Sequence, residues 1–215
     1  MVDLTRTIRH ELDDSEPFPL KLETSLASDS HYESLATIKK DQLGQIEVKY
    51  ANKKFFLDDN GEDFQNGEIL LVHPKDNYIR RFFRPEANTN AILVTEKCDQ
   101  RCIMCSQPPK NIDYDFYDLY KRALLLIDHD AVINITGGEP TLHKNNLLNF
   151  VSEVLDKKNN ISFHILTNGQ HFKSHDYSIL SLLSDYILWG IPLYSSDKNV
   201  HDKIVVKKNA YSKLL

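Results

Sequence analysis

The 215-residue sequence has three cysteines, all within eight residues of one another. An odd, clustered set cannot make the disulfide framework that staples small secreted folds, so a reducing, cytoplasmic setting is expected. Basic residues are in deficit, 26 Lys and Arg against 31 Asp and Glu, which gives a formal net charge of -5 and removes the electrostatic case for a nucleic-acid partner. No apolar run approaches the ~20 residues that span a bilayer. The start, Met1-Val2-Asp3-Leu4-Thr5, lacks the basic and apolar regions of a signal peptide, so no membrane partner is expected. Apolar residues at 41% and charged residues at 27% are ordinary for a soluble chain with a real core in one or two domains.

The cysteines lie in Cys98-Asp99-Gln100-Arg101-Cys102-Ile103-Met104-Cys105, a C-x3-C-x2-C spacing. Three thiolates on one tight loop suit a metal or an iron–sulfur cluster. A [4Fe–4S] cube ordinarily takes about four cysteines, so with three one iron would be left for another ligand.

Residues 1–40 mix acidic residues, Pro and Ser with few apolar anchors and read as a poorly defined, loosely docked segment. From 41 to 87 the pattern is a small antiparallel β module. Ile46, Val48 and Tyr50 alternate with Glu47 and Lys49, and further runs fall at 54–57, 68–72 and 78–83, with Asp59-Asn60-Gly61 as a turn signal. Arg80, Arg81 and Arg84 make a basic cluster, either a solvated strand face or a docking edge for an acidic peptide.

Residues 88–215 change to alternating strand and helix. Strands are expected at 91–94, 131–135, 161–166 and 186–193. Helices are expected at 114–128 and 145–158, around Ile179 to Leu183, and near the end of the chain. Such alternation builds a parallel sheet, because each right-handed crossover needs a helix, and chemistry then collects at the strands' C-terminal edge. The cysteine loop, Gly137-Gly138-Glu139-Pro140, Thr167-Asn168-Gly169 and Ser195-Ser196-Asp197 all fall there.

Gly137 and Gly138 leave room for a ligand against the main chain; Glu139 offers a carboxylate to an ammonium group, and Pro140 stiffens the turn. Alone, this is also a tight turn with a surface Glu. Ser195, Ser196 and Asp197 could hydrogen-bond a ribose or simply cap the following helix. Asn168 could touch a cofactor or shape the turn with Gly169. His171 and His175 have a metal-ligand spacing if helical, with only Asp176 beside them. His201-Asp202 is either a site-edge pair or the start of a surface helix.

A cysteine triad after one strand and GGEP after the next resembles the radical S-adenosylmethionine (SAM) superfamily. The local sequence from Leu93 to Pro109 is similar to a narrower group, the His-Xaa-Ser repeat system radical SAM maturases, their C component in particular. The resemblance implies a partial (β/α)6 barrel, here about four β/α units. It implies that Cys98, Cys102 and Cys105 hold three irons of a [4Fe–4S] cluster and that SAM chelates the fourth. The Gly137-Gly138-Glu139-Pro140 turn would bind the SAM amino group, Asn168 would lie at the cofactor site, and Ser195, Ser196 or Asp197 would lie near the ribose. Met104 stands where the superfamily often has an aromatic residue against the adenine. Reductive cleavage of SAM would give methionine and a 5′-deoxyadenosyl radical that takes a hydrogen atom from a His-Xaa-Ser repeat peptide. An external electron donor and a second maturase subunit are the implied partners. The later barrel strands are missing, so a fragment or a barrel completed by another chain is expected. Two rival readings follow: a non-catalytic, peptide-binding partner subunit, and a structural zinc module of three cysteines and a histidine.

Overall fold

The computed structural model describes residues 5–10, 16–23, 35–40, 45–51, 53–57, 64–113 and 115–215. The chain forms two compact units: residues 1–90 with 119–128, and residues 91–118 with 129–215.

The first unit holds β1 (Thr5–His10), β2 (Phe18–Glu23), β3 (Leu35–Lys40), β4 (Ile46–Tyr50), β5 (Lys53–Leu57), β6 (Ile69–His73) and β7 (Tyr78–Phe83). They close into a barrel in the order β1-β5-β4-β3-β2-β6-β7. Each pairing is antiparallel except β2 with β3. Closure removes the exposed edges that a four-stranded module would have. Alternation works as expected in β4, where Ile46, Val48 and Tyr50 are buried, and Leu22, Phe55 and Leu57 fill the same core.

The expected loose segment over 1–40 is corrected, since it supplies three strands of this barrel, and the β module does not begin at 41. Its strands were hidden by polar residues. In β2, Pro19, Lys21 and Glu23 break the apolar pattern, yet Lys21 is buried because its Nζ donates to Asp128 Oδ2 at 2.6 Å and lies 3.0 Å from Glu23 Oε1. The Asp59-Asn60-Gly61 turn lies outside the described residues.

The basic cluster is also corrected at Arg81, which is neither a solvated face nor a docking edge. Arg81 is 3% exposed and grips the fully buried Glu68 through two bonds, Nε to Oε2 at 2.8 Å and Nη2 to Oε1. Its guanidinium also lies 4.8 Å from the Phe64 ring centre.

The second unit is α/β, an open, curled half-barrel whose sheet runs β11-β10-β9-β8. Its strands are β8 (Asn90–Leu93), β9 (Ala131–Thr136), β10 (Ile161–Leu166) and β11 (Ile187–Gly190). β10 pairs parallel with both neighbours, Phe163 standing opposite Ile133 and Ile187. Most of α1 (Tyr117–Leu124) belongs to the first unit, and the helices of the second are α2 (Lys144–Leu155), α3 (Tyr177–Leu182), α4 (Lys198–Val205) and α5 (Ala210–Leu214). α2 shows why the alternation is legible: Leu147, Leu148, Val151 and Val154 share one buried face at helical spacing. Among the described residues no helix is long and apolar enough to cross a membrane.

Candidate functional site

The glycine pair after β9 is required by the backbone of the cysteine loop. Gly138 N–H donates to Thr95 O at 2.8 Å and Glu139 N–H to Lys97 O at 2.7 Å. A Cβ on Gly138 would stand 2.1 Å from Lys97 O, and one on Gly137 2.6 Å from Thr95 O. Only glycine lets the two strand-end loops lie this close, and the contact sets where Cys98 begins.

Glu139 is 1% exposed. Its Oε1 accepts from Thr141 N–H at 2.8 Å, from Thr141 Oγ1, and from Thr167 Oγ1 at 2.6 Å; its Oε2 accepts from Asn168 N–H at 2.6 Å. This carboxylate is a joint between the turn after β9 and the end of β10. Asn168 extends the joint, donating from Nδ2 to Asp99 Oδ1 at 2.8 Å while its Oδ1 accepts from Gln170 N–H at 3.1 Å.

The cysteine loop is then docked on α4. Arg101 N–H donates to Val205 O at 3.1 Å and Ile103 N–H to Ile204 O at 3.0 Å. Within the loop, Gln100 N–H donates to Cys98 Sγ at 3.4 Å, and the Cys105 thiol to Gln107 O at 2.9 Å. Cys98, Cys102 and Cys105 line one cavity of about 700 Å³, together with Lys97, Arg101 and Lys110. Burial pushes the Cys98 thiol up to about 11, against the Gln100 N–H, and burial raises Cys102 as well. Cysteines ligate metals as thiolates, so loading would release protons here.

The donor set can be compared with the groups it might hold. A cubane takes cysteine thiolates, one to an iron, and the three thiols that line the cavity fit that donor set.

The remaining sequence-derived residues take other places. Met104 is 50% exposed and is not among the residues lining the cavity. Asp197 caps α4, accepting from Asn199 N–H at 2.7 Å and Val200 N–H at 3.1 Å, and Ser195 Oγ accepts from Asp197 N–H at 3.0 Å; Ser196 is exposed beside them. Pro140 opens a short 3-10 turn (Pro140–His143) and is buried. His171 and His175 have separate partners: His171 Nε2 lies 3.2 Å from Asp99 Oδ2, and His175 Nε2 3.4 Å from Asp176 Oδ1. His201 is neither exposed nor at a helix start. It is 2% exposed within α4, where its Nδ1 accepts from Tyr194 N–H at 3.3 Å. Asp202 accepts from Asn209 N–H and Tyr211 N–H at 2.6 and 2.9 Å, fixing the entrance to α5.

Sequence reasoning placed Thr167 at the sheet edge without giving it a partner, and gave Thr141, Asp99 and Lys207 no role. Lys207 donates to Asp99 Oδ2 from 108 residues further along the chain, a pairing that no local pattern signals.

A family model described as the Radical SAM superfamily matches residues 92–215. GTP 3′,8-cyclase of Campylobacter jejuni subsp. doylei is 36% identical over 95 residues, which are 40% of this chain and 29% of that protein. The antilisterial bacteriocin subtilosin biosynthesis protein AlbA of Bacillus subtilis (strain 168) is 27% identical over 125 residues, 55% of this chain and 27% of that one. Among solved structures, native anSMEcpe with bound AdoMet aligns at TM-score 0.46 and 20% identity over 58% of this chain and 37% of that chain. The chain thus spans less than a third of the length of these two curated relatives.

Proposed function

The chain belongs to the radical SAM superfamily, whose members use SAM and an iron–sulfur cluster, and from that premise we propose that Cys98, Cys102 and Cys105 hold three irons of a [4Fe–4S] cluster, with SAM on the fourth. The observation that carries this reading is that three thiols, and only three, line one cavity whose loop is fixed against the Gly137-Gly138-Glu139 turn. When bound and reduced, the cluster supplies one electron that splits SAM into methionine and a 5′-deoxyadenosyl radical.

The chain's own residues supply position. Gly137 and Gly138 keep the main chain clear of side-chain bulk, and Glu139 holds the β9 and β10 loops in one arrangement. Its Oε2 takes a single donor, but the side chain is 1% exposed and outside the cavity lining, so an ammonium would reach it only after the turn opens. Ser195 and Asp197 are engaged in capping, so toward a ribose Ser195 would offer its hydroxyl proton or remaining lone pair and Asp197 its remaining lone pairs. Arg101 lines the cavity, while Lys97 and Lys110 beside it are ion-paired with Asp113 and Glu96, so little net positive charge faces the thiolates formed on loading.

For the substrate, we propose a His-Xaa-Ser repeat peptide modified after translation in the cytoplasm, with an external one-electron donor and a second maturase subunit as partners. The Leu93–Pro109 resemblance supports it, as does similarity to a bacteriocin biosynthesis protein. A second reading, a peptide-binding partner subunit, is favoured by apolar exposure at and after β11, where Leu188 is 66% and Leu193 52% exposed.

Anaerobic reconstitution followed by reduction with SAM separates the two. About four irons per chain and 5′-deoxyadenosine, both lost with serine at any of the three cysteines, are expected. Peptide binding with SAM left intact would overturn the catalytic reading in favour of the partner role. Running the assay with peptide and with GTP tests the substrate class, given the cyclase relatives.

A further inference from the structure

Asp99, next to the first cysteine, is tied to two separate parts of the second unit, the loop after β10 and the segment after α4. Its Oδ1 accepts from Asn168 Nδ2 at 2.8 Å, its Oδ2 accepts from Lys207 Nζ, and His171 Nε2 lies 3.2 Å from Oδ2. Through Asn168, whose N–H donates to Glu139 Oε2, the chain of bonds runs from the turn after β9 to the residue beside Cys98. Lys207 closes the other side. It follows α4, and its own N–H donates to Asp202 O at 3.1 Å, while the carbonyls of Ile204 and Val205 take the Ile103 and Arg101 N–H groups.

A carboxylate in this place needs a reason. Side-chain exposure is 25% for Asp99 and 21% for Lys207, so the pair is largely out of water. An unpaired aspartate there would add a fourth negative charge beside three thiolates, a repulsion that grows as the local dielectric falls. Paired with a lysine and bonded to an amide, it becomes a neutral clip instead. Charge-assisted bonds of this kind are the stronger ones and are directional enough to fix a loop.

We propose that Asp99 is a positioning residue: its ion pair with Lys207 and its hydrogen bond to Asn168 shape the cysteine loop before any iron arrives. The iron-dependent part of this inference rests on the cluster reading above; the part concerning the apoprotein does not.

Hydrogen exchange on the full-length apoprotein tests it. Asp99→Ala is expected to speed exchange at the Arg101 and Ile103 amides by about tenfold or more, because a bond to a charged group is lost, with β4 of the barrel unaffected. Asp99→Asn, which keeps an acceptor for Asn168 without the charge, is expected to fall between. Lys207→Met removes the carboxylate's lysine partner, so in reconstituted protein it should lower the cluster's reduction potential. Lys207→Arg should restore the potential, and so should Asp99→Asn combined with Lys207→Met. Unchanged Arg101 and Ile103 exchange in Asp99→Ala, with unchanged iron uptake, would overturn the proposal. If the wild-type protein fails to cleave SAM while Asp99→Ala still loosens the two amides, the functional reading falls and the positioning role stands.

Discussion

Replacing Gly138 by alanine puts a methyl group 2.1 Å from Lys97 O, 2.5 Å from Lys97 C and 2.8 Å from Glu96 O. All three are backbone atoms, so no side chain can rotate away and the cysteine loop itself must lift. Two hydrogen bonds then go, Gly138 N–H to Thr95 O and Glu139 N–H to Lys97 O, at about 1 kcal/mol each. Overpacking adds about 1–3 kcal/mol. A loss of about 3–5 kcal/mol follows, a large share of the ~5–15 kcal/mol that holds a domain folded. Gly190→Ala is the control. Its methyl would meet Leu166 Cδ2 at 2.6 Å and His164 Nε2 at 2.8 Å, side-chain atoms with some freedom to turn, for a cost of about 1 kcal/mol. Urea unfolding followed by tryptophan fluorescence reads this unit alone. The chain's single tryptophan, Trp189, lies in β11 and meets Phe172 edge-on at 4.9 Å. If Gly138→Ala unfolds at the same urea concentration as the control, the close approach of the two loops is wrong.

Glu139→Gln keeps the shape of the joint but turns an amide N–H toward groups that are themselves donors; the same fluorescence assay should show a loss of about 2–3 kcal/mol. In the barrel, Arg81→Met leaves Glu68 buried and unpaired and should cost about 3–5 kcal/mol. The double variant Glu68→Leu with Arg81→Met should recover most of that, read as hydrogen exchange in β6 and β7. Burial works to raise the Asp176 carboxyl, but Lys144 and the Lys173 N–H outweigh it and hold the group below the ordinary carboxylate range. A depressed carboxyl stabilises the fold fully above its unfolded value of about 4, and that contribution fades as pH drops through the lower folded value. Acid titration followed at Trp189 should therefore show a loss below pH ~4 that Lys144→Met makes smaller.

Much of the second unit could be read directly from the chain because its signals are local. β10 occupies the six residues its apolar run marked out, and α2 buries the expected face. Parallel order follows from strand–helix alternation without any long-range knowledge. The barrel was less readable for a physical reason. Its second strand carries Pro19, Lys21 and Glu23, and the lysine's burial depends on Asp128, more than a hundred residues away. Arg81 shows the same limit, since a run of arginines looks solvated until Glu68 is found across the β6–β7 pair. At the site, the sequence marked the cysteines and the glycine turn. It did not reveal that Glu139 would be enclosed by Thr141, Thr167 and Asn168, or that Asp197 would be a helix cap. Those roles depend on which loop ends meet.

The central claim is that Cys98, Cys102 and Cys105 hold a [4Fe–4S] cluster with one iron open to SAM. Electron paramagnetic resonance of the anaerobically reconstituted, reduced protein tests it most directly. The account predicts a reduced-cluster signal whose shape changes when SAM is added and which serine at any of the three positions abolishes. Stoichiometric zinc without sulfide, or a cluster signal indifferent to SAM, would contradict it.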